Sequence, residues 1–257
     1  MRNIKLTIAY DGTDFCGWQK QAEKGSVKIY RTVQADIEKA LERLHYHPLT
    51  LTGSGRTDSG VHAAGQAANF HTDIDSMESE RFVPALNSIL QRDIRILSAE
   101  EVCSDFNARF DAKSRTYRYF FTLGHQIMPH ECRYALQARN FPPVDVLNSY
   151  CRLIFGECDC TIFAGAGDTS LSRFRNIHNA VFFVQNNKII FEISANAFLW
   201  KTVRSIAGTF IHYGRLRTSQ EQLLEIINSK DRSLAGPTLP PNGLFLWDVK
   251  FYRYINI

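Results

Sequence analysis

The sequence predicts an α+β fold built from two successive β-α-β-β-α-β units, on three observations. Residues 4–10 alternate apolar and polar side chains, the period of a strand with one buried face. Val33, Ile37, Ala40, Leu41 and Leu44 recur at helical spacing, as do Phe82, Val83, Leu86, Ile89 and Leu90. The order of elements in the first hundred residues then returns in the remainder, without evident sequence identity between the halves. That order is ferredoxin-like, or RRM-like. The expected division is residues 1–107 and 108–257.

Each element has its own signal. The first strand ends at the Asp11-Gly12 turn. A helix follows around Val33, and residues 49–52 read as a second strand. A glycine-rich loop separates it from a third strand at residues 66–71. A second helix begins at Phe82, and a fourth strand covers residues 94–102. In the second half, residues 115–123 are rich in Tyr, Phe and Thr, as strands are. A helix after Pro142-Pro143 carries Val144, Leu147, Tyr150, Cys151 and Ile154. Residues 179–185 and 188–195 form a hairpin across Asn186-Asn187. Residues 198–212 read as a helix closed by Gly214, Ser219 caps a further helix, and residues 243–252 supply the last strand.

Composition narrows the classes. The chain has 257 residues, 44% of them hydrophobic, enough for one large or two ordinary cores. A net charge of +4 suits a polyanionic partner without identifying one. Six cysteines without a Cys-x-x-Cys, and eight histidines without ligand spacing, fit reduced thiols and no metal centre. No apolar run approaches a membrane span and no signal peptide opens the chain, so a cytoplasmic protein is expected.

Chemistry concentrates in the loop. Gly53, Gly55, Gly60 and Gly65 surround a single carboxylate, Asp58, with Arg56 two residues before it and His62 four after. It is no phosphate loop, because Val61 stands where a Lys would follow the last Gly. It is no dinucleotide fingerprint, because Asp58 occupies the third Gly position, and Ser59 lacks a nucleophile elbow. Read by spacing alone, it is equally a long polar turn.

The letters say more. Gly-Arg-Thr-Asp-Ser-Gly-Val-His-Ala, at residues 55–63, resembles the signature of the TruA family of tRNA pseudouridine synthases, whose Asp is the catalytic carboxylate. Further segments match in family order: Tyr10-Asp-Gly-Thr with Phe15 and Gly17-Trp-Gln; Arg115-Thr-Tyr-Arg-Tyr; Phe198-Leu-Trp-Lys-Thr-Val-Arg with Gly208; and Gly243-Leu-Phe-Leu. Ser59 stands where the family more often has Ala, and Lys201-Thr202 replaces a more usual His/Gln-Met/Val pair. The resemblance implies Asp58 and Arg204 as catalytic residues and Tyr117 as substrate-binding; Arg56 is a second substrate-binding candidate and a local alternative partner for Asp58. It also implies antiparallel sheets joined with helices on the outer faces, uridines 38, 39 and 40 of the tRNA anticodon arm as targets, and a homodimer.

Such an isomerisation breaks the N-glycosidic bond of uridine and rejoins the base through C5, with no redox change, so no cofactor or metal is expected. It needs an ionised carboxylate, and a guanidinium partner would keep an enclosed one charged. The target base has to be flipped out and stacked on an aromatic side chain. Tyr117 fits that need by resemblance; by spacing, Tyr117, Tyr119 and Phe121 are equally a core stripe. Trp18 is open in the same way, between core and stacking platform. Lys113, Arg118, Arg173, Arg215 and Arg217 are candidates for phosphate contacts. Two other readings compete. A noncatalytic RNA-binding module would carry an RNP1 pattern, which is absent. A small-molecule glycosidase would use two carboxylates where this loop offers one.

Overall fold

The computed structural model describes residues 1–20, 30–124 and 127–251. It divides into two compact units, Met1–Lys113 with Phe245–Ile257, and Ser114–Leu244. This differs from a division at residue 107, and the last strand groups with the first unit.

The first unit contains β1 (Arg2–Tyr10), α1 (Val33–His45), β2 (Thr52–Gly53), β3 (His62–Thr72), α2 (Phe82–Ile89) and β4 (Ile94–Val102). The sheet order is β4-β1-β3, antiparallel throughout, with β2 also antiparallel to β3. Alternation in β1 does what its period requires: Ile4, Leu6, Ile8 and Tyr10 are all buried. Ile4 stands opposite Phe70, which packs edge-on against Phe82 of α2 and His45 of α1. The helices therefore cover this face. Helix α1 starts where the Thr32 side chain accepts the Ala35 amide and ends at Tyr46, whose φ of 61° is left-handed. The other sheet face is covered at one end, where Asn3 and Asn69 hydrogen-bond each other and the 103–108 segment.

The second unit begins with β5 (Ala112–Leu123), β6 (Leu136–Ala138) and α3 (Val144–Cys151). It continues through β7 (Gly156–Asp159), β8 (Phe174–Gln185), β9 (Lys188–Ala195), α4 (Thr202–Arg215) and α5 (Gln220–Asn228). The sheet runs β5-β9-β8-β7, with short β6 parallel to β5. The β8–β9 hairpin turns on Asn186 and Asn187, both at left-handed φ, which a two-residue turn matching strand twist demands. Ser219 caps α5 in a reciprocal box with Gln222.

Two expectations for α4 need correcting. It starts at Thr202, not residue 198, because Lys201 adopts a left-handed φ of 62° and breaks the turn before it. Gly214 lies inside α4 and does not close it; a Cβ there would meet the Pro142 ring at 2.8 Å. Its smallness serves packing.

The final strand, β10 (Leu244–Phe251), pairs in parallel with β3 at Phe245–His62 and Leu246–Ala63, which explains its grouping. It was expected to run to Tyr252, which lies outside the described residues. Among the described residues no helix is long and apolar enough to cross a membrane.

Candidate active-site loop and its supports

The loop between β2 and β3 is cast against the segment that follows β1. Residues 11–19 and 54–61 interlock through backbone contacts. Trp18 N–H donates to the Thr57 carbonyl at 3.2 Å, and Gly60 N–H to the Phe15 carbonyl at 3.4 Å. The Ser59 hydroxyl also donates to the Phe15 carbonyl, at 3.1 Å. Buried Thr57 shares a 2.9 Å hydrogen bond with the Tyr10 hydroxyl. Glycine is needed where the two pieces touch. Gly17 has φ of 90°, and a Cβ there would stand 2.6 Å from the Thr57 carbonyl oxygen. A Cβ on Gly12 would overlap the Val61 carbonyl.

The loop's own ends are tied as well. The Ser54 hydroxyl donates to Gln66 Oε1 at 2.6 Å, and the Gln66 amide donates to the Gly55 carbonyl at 2.9 Å. The strand expected at residues 49–52 is reduced to Thr52–Gly53, because Leu51 is tied to α1 instead: its N–H donates to Glu38 Oε1 at 3.2 Å and its carbonyl accepts from the Gln34 side-chain amide at 3.0 Å. Trp18 is resolved as core: it is 2% exposed and its indole lies directly beneath Gly53. It is a support for the loop and not an RNA platform.

Asp58 is the half-buried tip of this arrangement, in a turn closed by the Val61 N–H donating to the Asp58 carbonyl at 3.2 Å. Arg56 is exposed and directs its Nε to Gln19 Oε1 at 3.2 Å, not toward Asp58. Sequence reading left His62 without a role. It is fully buried, stacks on Phe245 at 4.6 Å, and places Nδ1 at 3.0 Å from the Gly12 amide and 3.1 Å from Asp11 Oδ1. One nitrogen cannot serve both at once. With a lone pair on Nδ1 it accepts from Gly12; with a hydrogen there it donates to Asp11. Its place four residues after Asp58 is the signal that could have shown it.

Tyr10→Phe tests the cast. It deletes the hydroxyl that faces buried Thr57, and should cost about 1–3 kcal/mol of stability, read by urea unfolding. A cost near zero would mean the contact does not hold the loop.

The second unit positions Tyr117 and Arg204. Tyr117, on β5, is 9% exposed and meets Phe198 edge-to-face at 5.3 Å. Tyr119 and Phe121, on the same side of the strand, are buried more deeply still. Arg204, in the first turn of α4, is half-buried and donates Nε to the Leu239 carbonyl at 2.7 Å. The Tyr119 hydroxyl donates to the neighbouring Pro240 carbonyl. Burial pushes the Tyr119 hydroxyl well above its ordinary pKa, with the Arg204 charge opposing, so it stays a neutral donor. The 236–240 segment reaches these residues because Gly208 lets it lie on α4: a Cβ there would overlap the Pro237 carbonyl. The Gly236 amide donates to Thr209 Oγ1 at 3.0 Å, pinning the other end.

The basic candidates divide. Arg118 pairs with Glu192 at 2.7 Å, Arg173 pairs with Asp168 at 2.8 Å, and Arg215 donates to the Asn140 and Arg139 carbonyls. Lys113 and Arg217 are exposed. Among the described residues no cluster of three His, Cys, Asp or Glu side chains could hold a metal ion.

The comparisons with known proteins agree with the motifs. The family model described as tRNA pseudouridine synthase matches residues 6–111 and 151–252. A protein of Treponema denticola called tRNA pseudouridine synthase A is 53% identical over 250 residues, covering 97% of this chain and 93% of its own. Its namesake in Treponema pallidum is 46% identical over 237 residues, covering 92% and 84%. That of Caldicellulosiruptor saccharolyticus is 42% identical over 252 residues, covering 98% and 100%. The chain thus belongs to the tRNA pseudouridine synthase family, and within it to the TruA group that its loop motif resembles.

Proposed function

We propose that this protein is an isomerase converting uridine to pseudouridine in tRNA, acting on positions 38, 39 and 40 of the anticodon arm. The observation that carries the activity is near full-length membership of the family together with an Asp58 loop held in one conformation by the 11–19 segment. Preorganisation of the reacting carboxylate is what such chemistry asks of a fold. The target positions rest on the motif resemblance.

In this reading Asp58 is the ionised carboxylate that attacks ribose C1′ or base C6, or removes the C2′ proton. Arg204 is its guanidinium partner, which keeps the charge on Asp58 once RNA covers it. Arg204 suits the task because its Nε donates to the Leu239 carbonyl, which fixes the guanidinium at the start of α4. Tyr117 supplies the aromatic face for the flipped base, and Phe198 holds its ring edge-on. Exposed Arg56 and Lys113 reach for phosphates. The protein acts as a homodimer in the cytoplasm, where its tRNA is made.

The test maps pseudouridine by carbodiimide adducts and primer extension on unmodified tRNA transcripts. Adducts at uridines 38, 39 and 40 and nowhere else support the reading. Adducts confined to another arm would remove the anticodon assignment while leaving the activity. The isomerisation needs no Lewis acid, so turnover should survive chelation once the tRNA is folded. Loss restored by one particular transition metal would overturn that expectation. Arg204→Met should lower single-turnover rate by roughly 10²- to 10³-fold, as removal of a charge-stabilising donor does. An unchanged rate and pH profile would refute its pairing with Asp58.

A further inference from the structure

An exposed indole stands ahead of α4. Trp200 is 44% exposed, four residues before Arg204. It is nevertheless fixed at three points. Its backbone N–H donates to Asp168 Oδ2 at 2.6 Å, its backbone carbonyl accepts from Gly165 N at 2.8 Å, and its ring lies on Gly165, where a Cβ would stand 2.9 Å from Cε3. Asp168 is a buried hub, its side chain 4% exposed, which also accepts from the Ser170 amide and from Arg173. Burial pushes its carboxyl up, but the Trp200 and Ser170 amides and Arg173 outweigh burial and hold it below the usual carboxylate range. A buried charge and a bare glycine are thus spent on presenting a large aromatic ring to solvent.

Lys201 completes the feature. It takes a left-handed φ of 62° and lays its ammonium 4.1 Å from the centroid of the Trp200 ring. A lysine pays for that backbone conformation in strain. The result is an aromatic face and a cation on adjacent residues. The cation against the ring is Lys201, while the Asp168 carboxylate that anchors Trp200 is already neutralised by Arg173. Charged groups are depleted at the centres of protein–protein interfaces, so this composition favours a polyanion over a protein. Stacking surface plus phosphate-binding cation is how unpaired nucleotides are held.

We infer that Trp200 and Lys201 bind an unpaired nucleotide of the tRNA, its base stacked on the indole and its phosphate taken by the ammonium released from the ring. This rests on the tRNA reading above and assigns a contact within it. Trp200 acts as a positioning residue: it holds the RNA beside the turn that carries Arg204.

The experiment compares Trp200→Ala, Trp200→Phe and Lys201→Met with wild type, by tRNA affinity at several salt concentrations. Trp200→Ala should weaken binding about tenfold with an unchanged salt slope, because its partner is an uncharged base. Trp200→Phe should restore most of that loss. Lys201→Met should weaken binding and reduce the slope of log K by about 0.7 to 0.9, one phosphate contact. A set of tRNAs, each with one loop nucleotide made abasic, then locates the base: one abasic site should weaken wild type and leave Trp200→Ala unaffected. The inference is overturned if Trp200→Ala binds like wild type, if it alters the salt slope, or if no abasic site is matched by the variant. It is also overturned if Trp200→Ala changes the mass in solution with tRNA affinity intact, since the patch then belongs to a second copy. Thermal melting of each variant separates lost contact from lost fold. If wild type releases no tritium from C5-labelled uridine, the enzymatic reading falls, and the nucleotide site is judged on these affinities alone.

Discussion

Asp58→Asn is expected to bind tRNA within about twofold of wild type and to lose turnover by roughly 10³-fold or more. The amide keeps the shape of the side chain and removes the charge on which every version of the chemistry depends. The fold should not notice, because the 54–61 loop is held by Ser54, Thr57, Ser59 and backbone contacts, and not by integrity of a core around Asp58. Single-turnover assays with filter-binding controls decide it. Residual activity within about tenfold of wild type would discard Asp58 as the essential carboxylate.

The second large effect is expected from Gly12→Ala, at a residue with no chemical role. A methyl group there overlaps the Val61 carbonyl, which is backbone and cannot swing aside. Either the 11–19 segment or the Asp58 loop has to shift. A displacement near 1 Å at a catalytic group costs about 10²-fold in rate, so turnover should fall by that order while tRNA still binds. Gly55→Ala is the matched control on the same motif. Nothing lies within 4 Å of a Cβ at Gly55, and its φ is not left-handed, so stability should be unchanged. Equal melting temperatures for the two variants, with full activity in Gly12→Ala, would show that the loop is not cast against the amino-terminal segment.

Much of this was legible in the chain. Alternation in residues 4–10 showed which side of β1 is buried, Asn186-Asn187 announced its hairpin, and Ser219 announced its cap, because each is a local rule satisfied locally. The glycine pattern around Asp58 marked the loop, although its reasons lay elsewhere: Gly53 is small to accommodate Trp18, Gly65 to accommodate the Trp247 carbonyl, and Gly60 takes a left-handed φ of 78°. Contacts between segments tens of residues apart leave no periodic trace. The same holds for β10, whose partner β3 lies far back in the sequence. The start of α4 was misread because Lys201 is an ordinary helix former by propensity, and its left-handed backbone is imposed by the anchoring of Trp200 to Asp168 and Gly165. Tyr117 shows the limit of parity: it shares a buried stripe with Tyr119 and Phe121, and only the family motif separates its role from theirs.

The most direct test of the central claim is release of tritium from C5-labelled uridine in unmodified tRNA, with wild-type protein and chelator present. Isomerisation replaces the C5–H bond by a C5–C1′ bond, so each event frees one tritium. The account predicts release that continues over many turnovers per protein and ceases in Asp58→Asn. No release by the wild type, or equal release by the variant, would contradict it.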